Sequence, residues 1–275
     1  DKIRSTPAGK AELMDEMCKG PIAINTGDAN QQHYEVPTGF FQLMLGSRMK
    51  YSCAFFEDES DPLNKAEDTM LALCCSRAEL NDGQKILELG CGWGSLSLYL
   101  AEHYPSSQIT AVSNSATQRT YIETQAVSRN LHNLSVITAD MNDFSTADQF
   151  DRVMSIEMFE HMRNHQMLFH RISGWLKQDG KLFFHIFCHR DMPYFFETDS
   201  EDDWMAKHFF TGGMMPSFDL PARFDDHLNQ EKSWEVNGSH YASTCEGWLQ
   251  NLDGRKSEAF DMIARSDNPA SKVIQ

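Results

Sequence analysis

The chain has 275 residues, 41% of them hydrophobic, and a formal net charge of -16 at pH 7 from 40 acidic and 24 basic side chains. That length can bury a substantial core without staples, and the acidic excess argues against a protein whose main work is gripping nucleic-acid phosphates or an anionic membrane. Seven cysteines without a CxxC pair, and no apolar run of transmembrane length, point to free thiols in the cytoplasm and to a neutral or cationic small partner, with no nucleic acid and no stable membrane association.

Residues 1–34 are polar with helical signals and end in the loop-like "NTGDANQQH", which reads as an N-terminal arm. From 35 to 80 the apolar residues recur at helical spacing. The clearest case is "DPLNKAEDTMLALCCSRAEL", where Pro62 stands near the start and Met70, Leu73, Cys74 and Ala78 form a stripe. This segment is expected to feed the core and to lie over the ligand site. Between 81 and 190 the pattern changes to short apolar runs, "KILEL", "QITAVS", "LSVITAD", "FDRVMSIE" and "KLFFHIF", separated by amphipathic stretches. Strands alternating with helices imply right-handed crossovers and a doubly wound α/β domain with a mostly parallel sheet. Residues 191–275 read as a cap and acceptor region. They hold the acidic run Glu201 to Asp203, which suits a helix start, the loop "TGGMMPS", a strand-like "SWEVNGSHY", and aromatic residues such as Tyr194, Trp204, Phe209 and Phe210 that serve as core or as a pocket wall.

In "KILELGCGWGSLSLYLAEHY" a strand ends at Leu89, Gly90, Gly92 and Gly94 follow at alternate positions, and a helix begins at once. Glycine belongs where a chain turns sharply and where a ligand must touch backbone. A dinucleotide fingerprint would need its third glycine at position 95, which is Ser95. GxGxG preceded by Glu88 instead resembles motif I of the class I S-adenosylmethionine (SAM) methyltransferases. The second strand ends in "AVSNSATQ", with Ser113, Asn114 and Gln118 where an acid for ribose hydroxyls is common. The third closes in "TADMN", where Asp140 is either an acceptor for an adenine amino group or a helix N-cap, and Met141 can pack on the ring.

The fourth strand, "RVMSI", runs into Glu157, Glu160 and His161. Its carboxyl end faces the ligand crevice of a doubly wound sheet, and a helical turn starting at Glu157 would set all three side chains on one face. Methyl transfer is an in-line displacement governed by positioning. An amine acceptor adds a difficulty, because its ammonium form has no lone pair. Carboxylates attract that cation, and imidazole, which ordinarily titrates near ~6.5, can take its proton. The competing readings are a solvated charged helix face and a metal site. The second has His161 and His165 at i,i+4 and His185, Cys188 and His189 close together, but no Glu follows His161 as HExxH requires, so no metal is expected.

Taken together, "HYEVPTGFFQLMLGSRMKYSCAFF", "ILELGCGWGSLSLYLA", "AVSNSATQ", "IEMFEHM" and "FFTGGMMPS" resemble the cyclopropane-fatty-acid synthase superfamily, and especially its N-methylating, coclaurine N-methyltransferase-like branch, over roughly residues 30 to 255. The resemblance implies a Rossmann-like class I SAM-dependent methyltransferase with Glu157, Glu160 and His161 as acid/base residues. It implies SAM contacts at Ser52, Gly90, Asn114, Gln118, Asp140, Met141 and Ile156, and Tyr51, Glu88 and Gly92 join them from the same motifs. In the cyclopropane synthases, segments like Tyr51-Ser52-Cys53 and His240-Tyr241 help hold a bicarbonate that acts as base, so Cys53 and Tyr241 are candidates for bicarbonate or acceptor. The leading expectation is methyl transfer to nitrogen of a small amine, with S-adenosyl-L-homocysteine (SAH) as product and a second copy of the chain as a partner. The alternatives are methylene or methyl transfer to an unsaturated acyl lipid, with bicarbonate, and a non-catalytic SAM-binding sensor. Family members usually continue past the position matching Gln275, so a chain trimmed at its C-terminus is expected.

Overall fold

The computed structural model describes residues 6–24, 37–197, 206 and 210–264. The loop sequence 25–33, the acidic run 201–203, Trp204 and Phe209 lie outside the described residues. Helices α1 (Pro7–Met17), α2 (Thr38–Met44) and α3 (Leu63–Arg77) precede a sheet of five strands: β1 (Lys85–Leu89), β2 (Gln108–Ser113), β3 (Leu134–Thr138), β4 (Phe150–Ile156) and β5 (Leu176–His185). The strands pair in the order β3-β2-β1-β4-β5, every pair parallel. The crossovers are α4 (Ser95–His103) and α5 (Ala116–Ser128) on the way to β3, and α6 (His165–Trp175) between β4 and β5. A short antiparallel pair, β6 (Tyr194–Phe195) with β7 (Met214–Met215), and helices α7 (Ser239–Gly254) and α8 (Lys256–Ala264) follow.

β1 explains why both faces are covered. Successive side chains of a strand point to opposite faces, and Ile86, Leu87 and Leu89 are all fully buried. Ile86 packs with Cys74, Leu96 and Leu100 under α3 and α4. Leu87 and Leu89 pack with Phe169, Ile172 and Trp175 of α6. Each such side chain stabilises the fold by about 1.5–3 kcal/mol. Glu88 lies on the α4 face, where its carboxylate accepts a short hydrogen bond from Ser97. Burial pushes the Glu88 carboxyl up to about 7. A carboxyl whose folded pKa is raised costs stability when it ionises. That cost is absent below the unfolded value and complete above about 7. Thermal melts should therefore show Glu88→Gln losing less stability than the parent as pH rises from 4.5 to 7; parallel pH profiles would refute this.

The described part of the N-terminal arm packs on the domain, where Leu13, Met17, Ile22 and Ala23 join the α6-side core. Its helix starts where the Thr6 hydroxyl caps Gly9 with a proline in the first turn. Residues 45–62 are not helical, because buried Glu67 of α3 captures the backbone amides of Gly46 and Arg48 and holds the chain in an irregular path. The "SWEVNGSHY" stretch is not a strand either. The Asn237 side chain accepts from the Ser239 amide at 2.9 Å and turns the chain into α7. Among the described residues no helix is long and apolar enough to cross a membrane, and the cysteines are free thiols.

Candidate active site

The strand order reverses between β1 and β4, and the crevice beyond their carboxyl ends is where such sheets bind ligands. A cleft with an empty volume of about 790 Å³, its open mouth included, lies there. Gly90 and Gly92 line it at φ +75° and +51°. Their freedom serves different ends. A Cβ on Gly90 would meet Met158 at 2.6 Å, so this glycine lets the β1 and β4 loops touch. A Cβ on Gly92 would meet nothing within 4 Å, so this one keeps the cleft open.

The cleft wall also presents a donor. Ser115 caps α5 by accepting from the Gln118 amide, and the Ser113 hydroxyl donates to Gln118 Oε1 at 2.6 Å. Gln118 Nε2 is left buried without a hydrogen-bond partner. An unsatisfied buried donor costs about 1–3 kcal/mol, which a ligand acceptor would recover. Asn114, Asp140 and Met141 line the same cleft. Asp140 lines the cleft, and its Oδ1 accepts from the Asn142 amide at 2.8 Å within a turn that no helix follows. Asn142 in turn clasps Ala23, accepting from its N–H and donating to its carbonyl. That holds Ala23 and Ile24 as a further part of the wall.

No helix starts at Glu157. This residue sits in the left-handed region at φ +49°, its N–H donating to the His185 carbonyl at 2.7 Å, and a single 3-10 turn, Phe159–His161, follows. A non-glycine residue held there costs about 1–3 kcal/mol. The kink separates the three side chains that a helix would have aligned. Glu157 and His161 line the cleft, while Glu160 is fully buried behind it. Glu157 Oε1 accepts from the Cys53 N–H at 2.9 Å and Oε2 from the Tyr241 hydroxyl at 3.0 Å. His185 Nε2 lies 3.9 Å from Oε1, and burial holds that imidazole down to about 3, hence neutral. The His161 ring stacks on Phe210 at 4.9 Å, and Phe210 stacks on Phe196 at 5.2 Å.

The surroundings of the two carboxyls differ. Burial pushes Glu157 up, while Lys50, the Cys53 N–H and the Tyr241 hydroxyl pull it back. Burial and then the Glu157 charge push Glu160 well above the usual carboxylate range. Glu160 Oε1 accepts from the Phe187 N–H, and Oε2 is buried without a partner. The better-solvated member of such a pair carries the charge. Glu160 therefore holds its proton more tightly than Glu157.

Several sequence candidates stand off the cleft wall. Glu88 faces α4 because of strand alternation. Ile156 packs with the α3-side and α4-side core. Tyr51 lies against Phe41 and Trp248, and the Ser52 hydroxyl accepts from the Lys50 ammonium. Cys53 and Tyr241 reach the site through Glu157, not as an open pair, and the Cys53 thiol donates to the Ala54 carbonyl. His165 turns into the core beside Phe159. Among the described residues no three His, Cys, Asp or Glu side chains are grouped to hold a metal. Sequence reasoning missed Lys50 and Thr211, which loops bring in and no spacing marks, and it weighed His185, the last residue of β5, only as a metal ligand.

Residues 23–269 match the mycolic acid cyclopropane synthetase family. The chain is 40% identical to the (S)-coclaurine N-methyltransferase of Thalictrum flavum subsp. glaucum, covering 84% of this chain and 65% of that protein. It is 30% identical to the cyclopropane-fatty-acyl-phospholipid synthase of Escherichia coli (strain K12), covering 81% and 56%. A crystal structure of coclaurine N-methyltransferase bound to N-methylheliamine and SAH superposes with a TM-score of 0.90 at 36% identity, covering 94% of this chain and 75% of that one. The chain thus spans about two thirds of the plant enzyme's length. With a five-stranded parallel sheet, a glycine turn at its reversal point and this degree of likeness, the chain belongs to the mycolic acid cyclopropane synthetase family, on the side of the coclaurine N-methyltransferases, and has the class I SAM methyltransferase fold.

Proposed function

We propose that this chain acts as a SAM-dependent N-methyltransferase on a small, alkaloid-like amine. The observation that carries the reading is the Glu157 carboxylate held between the Cys53 N–H and the Tyr241 hydroxyl. In the cyclopropane-synthase pattern the segments around these two residues help hold a bicarbonate base. Here a carboxylate of the protein itself engages both donors, which favours an amine over an acyl lipid. The (S)-coclaurine and (S)-tetrahydroprotoberberine N-methyltransferases among the relatives support the same acceptor class.

The cleft fits the cofactor. Gln118 Nε2 offers a donor that none of the described residues uses, Asp140 and Met141 suit an adenine, and Gly92 leaves backbone exposed for close approach. When bound, SAM supplies a sulfonium methyl group for in-line displacement. The protein's own work is on the acceptor. Glu157 attracts the ammonium, a ring nitrogen of His161 accepts its proton, and the freed lone pair is held facing the cleft. Glu160, buried behind the wall, fixes the turn that presents His161 through its bond to Phe187.

A screen of amines and unsaturated lipids with methyl-labelled SAM should place label on amine nitrogen. Stripping dissolved carbonate should leave the rate unchanged, because the base is a side chain. A rate that collapses without carbonate and returns with it would overturn the amine reading in favour of lipid modification. SAM binding without turnover on any acceptor would favour a sensor.

A further inference from the structure

Lys50 is 2% exposed, yet no part of the amine mechanism above uses it. Its ammonium donates to the Ser52 hydroxyl and to the Cys53 carbonyl at 2.7 Å. The N–H of that same Cys53 donates to Glu157 Oε1. The next residue, Ala54, donates to the Thr244 hydroxyl of α7, and α7 also carries Tyr241, the second donor to Glu157. A lysine is buried only when its charge is matched. The loop that bears Lys50 is pinned by fully buried Glu67, and Glu157 stands one residue's backbone away from the ammonium.

We propose that Lys50 is a positioning residue for Glu157: gripping Ser52 and the Cys53 carbonyl, its ammonium aims the Cys53 N–H at the Glu157 carboxylate and supplies the compensating charge that keeps this carboxylate ready for a cationic amine. The other titratable groups around Glu157 work against that charge or are neutral. The Cys53 thiol, Tyr241 and Cys245 are all held up by burial and by Glu157 itself, Glu160 is pushed up beside it, and His185 is held neutral by burial. His161 shares the cleft wall with Glu157. Among the described residues Lys50 is the cation joined to Glu157 through the Cys53 peptide, and its charge is shared with Glu67.

The role of Lys50 toward an amine rests on the N-methyltransferase reading; its effect on Glu157 does not. The test therefore has two readouts on the full chain. The first follows the Glu157 carboxyl by ¹³C NMR with labelled glutamate, its signal assigned by loss in Glu157→Gln. The second is the pH profile of kcat/KM for tetrahydroisoquinoline methylation. Lys50→Met should raise the Glu157 titration midpoint by about one unit or more, a tenfold drop in carboxylate below the midpoint, and move the acid limb of kcat/KM the same way. Lys50→Arg should largely restore both. If Lys50→Met fails to fold because Glu67 loses its neighbour, Lys50→Met with Glu67→Gln removes both charges and should still raise the midpoint. An unchanged midpoint in either folded variant overturns the proposal. If the parent methylates no amine, the functional reading falls while the NMR titration still decides the role of Lys50.

Discussion

His161→Ala is expected to lower kcat/KM for an amine acceptor by about 10²–10⁴-fold while leaving SAM affinity unchanged. The imidazole is on the cleft wall and stacks on Phe210, an arrangement that fixes its plane, and Glu157 shares the wall with it. A general base works only when unprotonated, so kcat/KM should rise with pH through the apparent pKa of the Glu157–His161 group. That limb should shift or vanish in the alanine variant. Because the two groups act on one cation, the midpoint belongs to the pair. Glu157→Gln should chiefly raise KM, since the amide keeps the shape but cannot attract an ammonium. A side chain on a merely solvated turn would change the rate little and stability by under ~0.5 kcal/mol. Near-normal turnover by His161→Ala on a verified acceptor would sink this account of the site.

Gly92→Asn should weaken SAM and SAH binding by at least about a hundredfold, roughly 2.7 kcal/mol, with the fold intact. Asparagine is chosen because it tolerates a positive φ better than other side chains, and Gly92 is at φ +51°. Its Cβ would enter space that no atom of the described residues occupies within 4 Å, on the wall of the cleft. The loss should therefore come from the ligand's side. Gly90→Val is a poorer test, because its Cβ would strike Met158 before any ligand. Gly83→Asn is the control. It has φ +89°, open space around its Cβ and a place in the turn before β1, far from the cleft lining, so it carries similar backbone strain. Calorimetry should show SAM binding unchanged there. Equal affinity in Gly92→Asn and the parent would mean that the cofactor site lies elsewhere.

The sequence by itself determined the sheet and its ligand edge. "KILEL" and "QITAVS" coincide with β1 and β2, and "FDRVMSIE" with β4 to within one residue, because strands buried on both faces read as unbroken apolar runs. The glycine turn was legible for a similar reason, since it follows one strand and opens one helix, and spacing alone separated it from a dinucleotide motif. Gln118 was singled out because its amide stands where an acid for ribose hydroxyls is common, and it does line the cleft. The tertiary structure alone decided where the ionisable residues stand. An i,i+3,i+4 pattern placed Glu157, Glu160 and His161 on one face, but the His185 carbonyl captures the Glu157 amide and holds the residue left-handed, so one carboxyl faces the cleft and the other is buried behind it. Glu88 turned away from the cleft for the same kind of reason, the alternation of β1 setting it toward Ser97. Cys53 and Tyr241 are nearly two hundred residues apart and carry no shared period. Only the packing of α7 beside the 50–54 loop brings both to Glu157, and only that meeting distinguishes a protein-borne carboxylate from a place for a free anion.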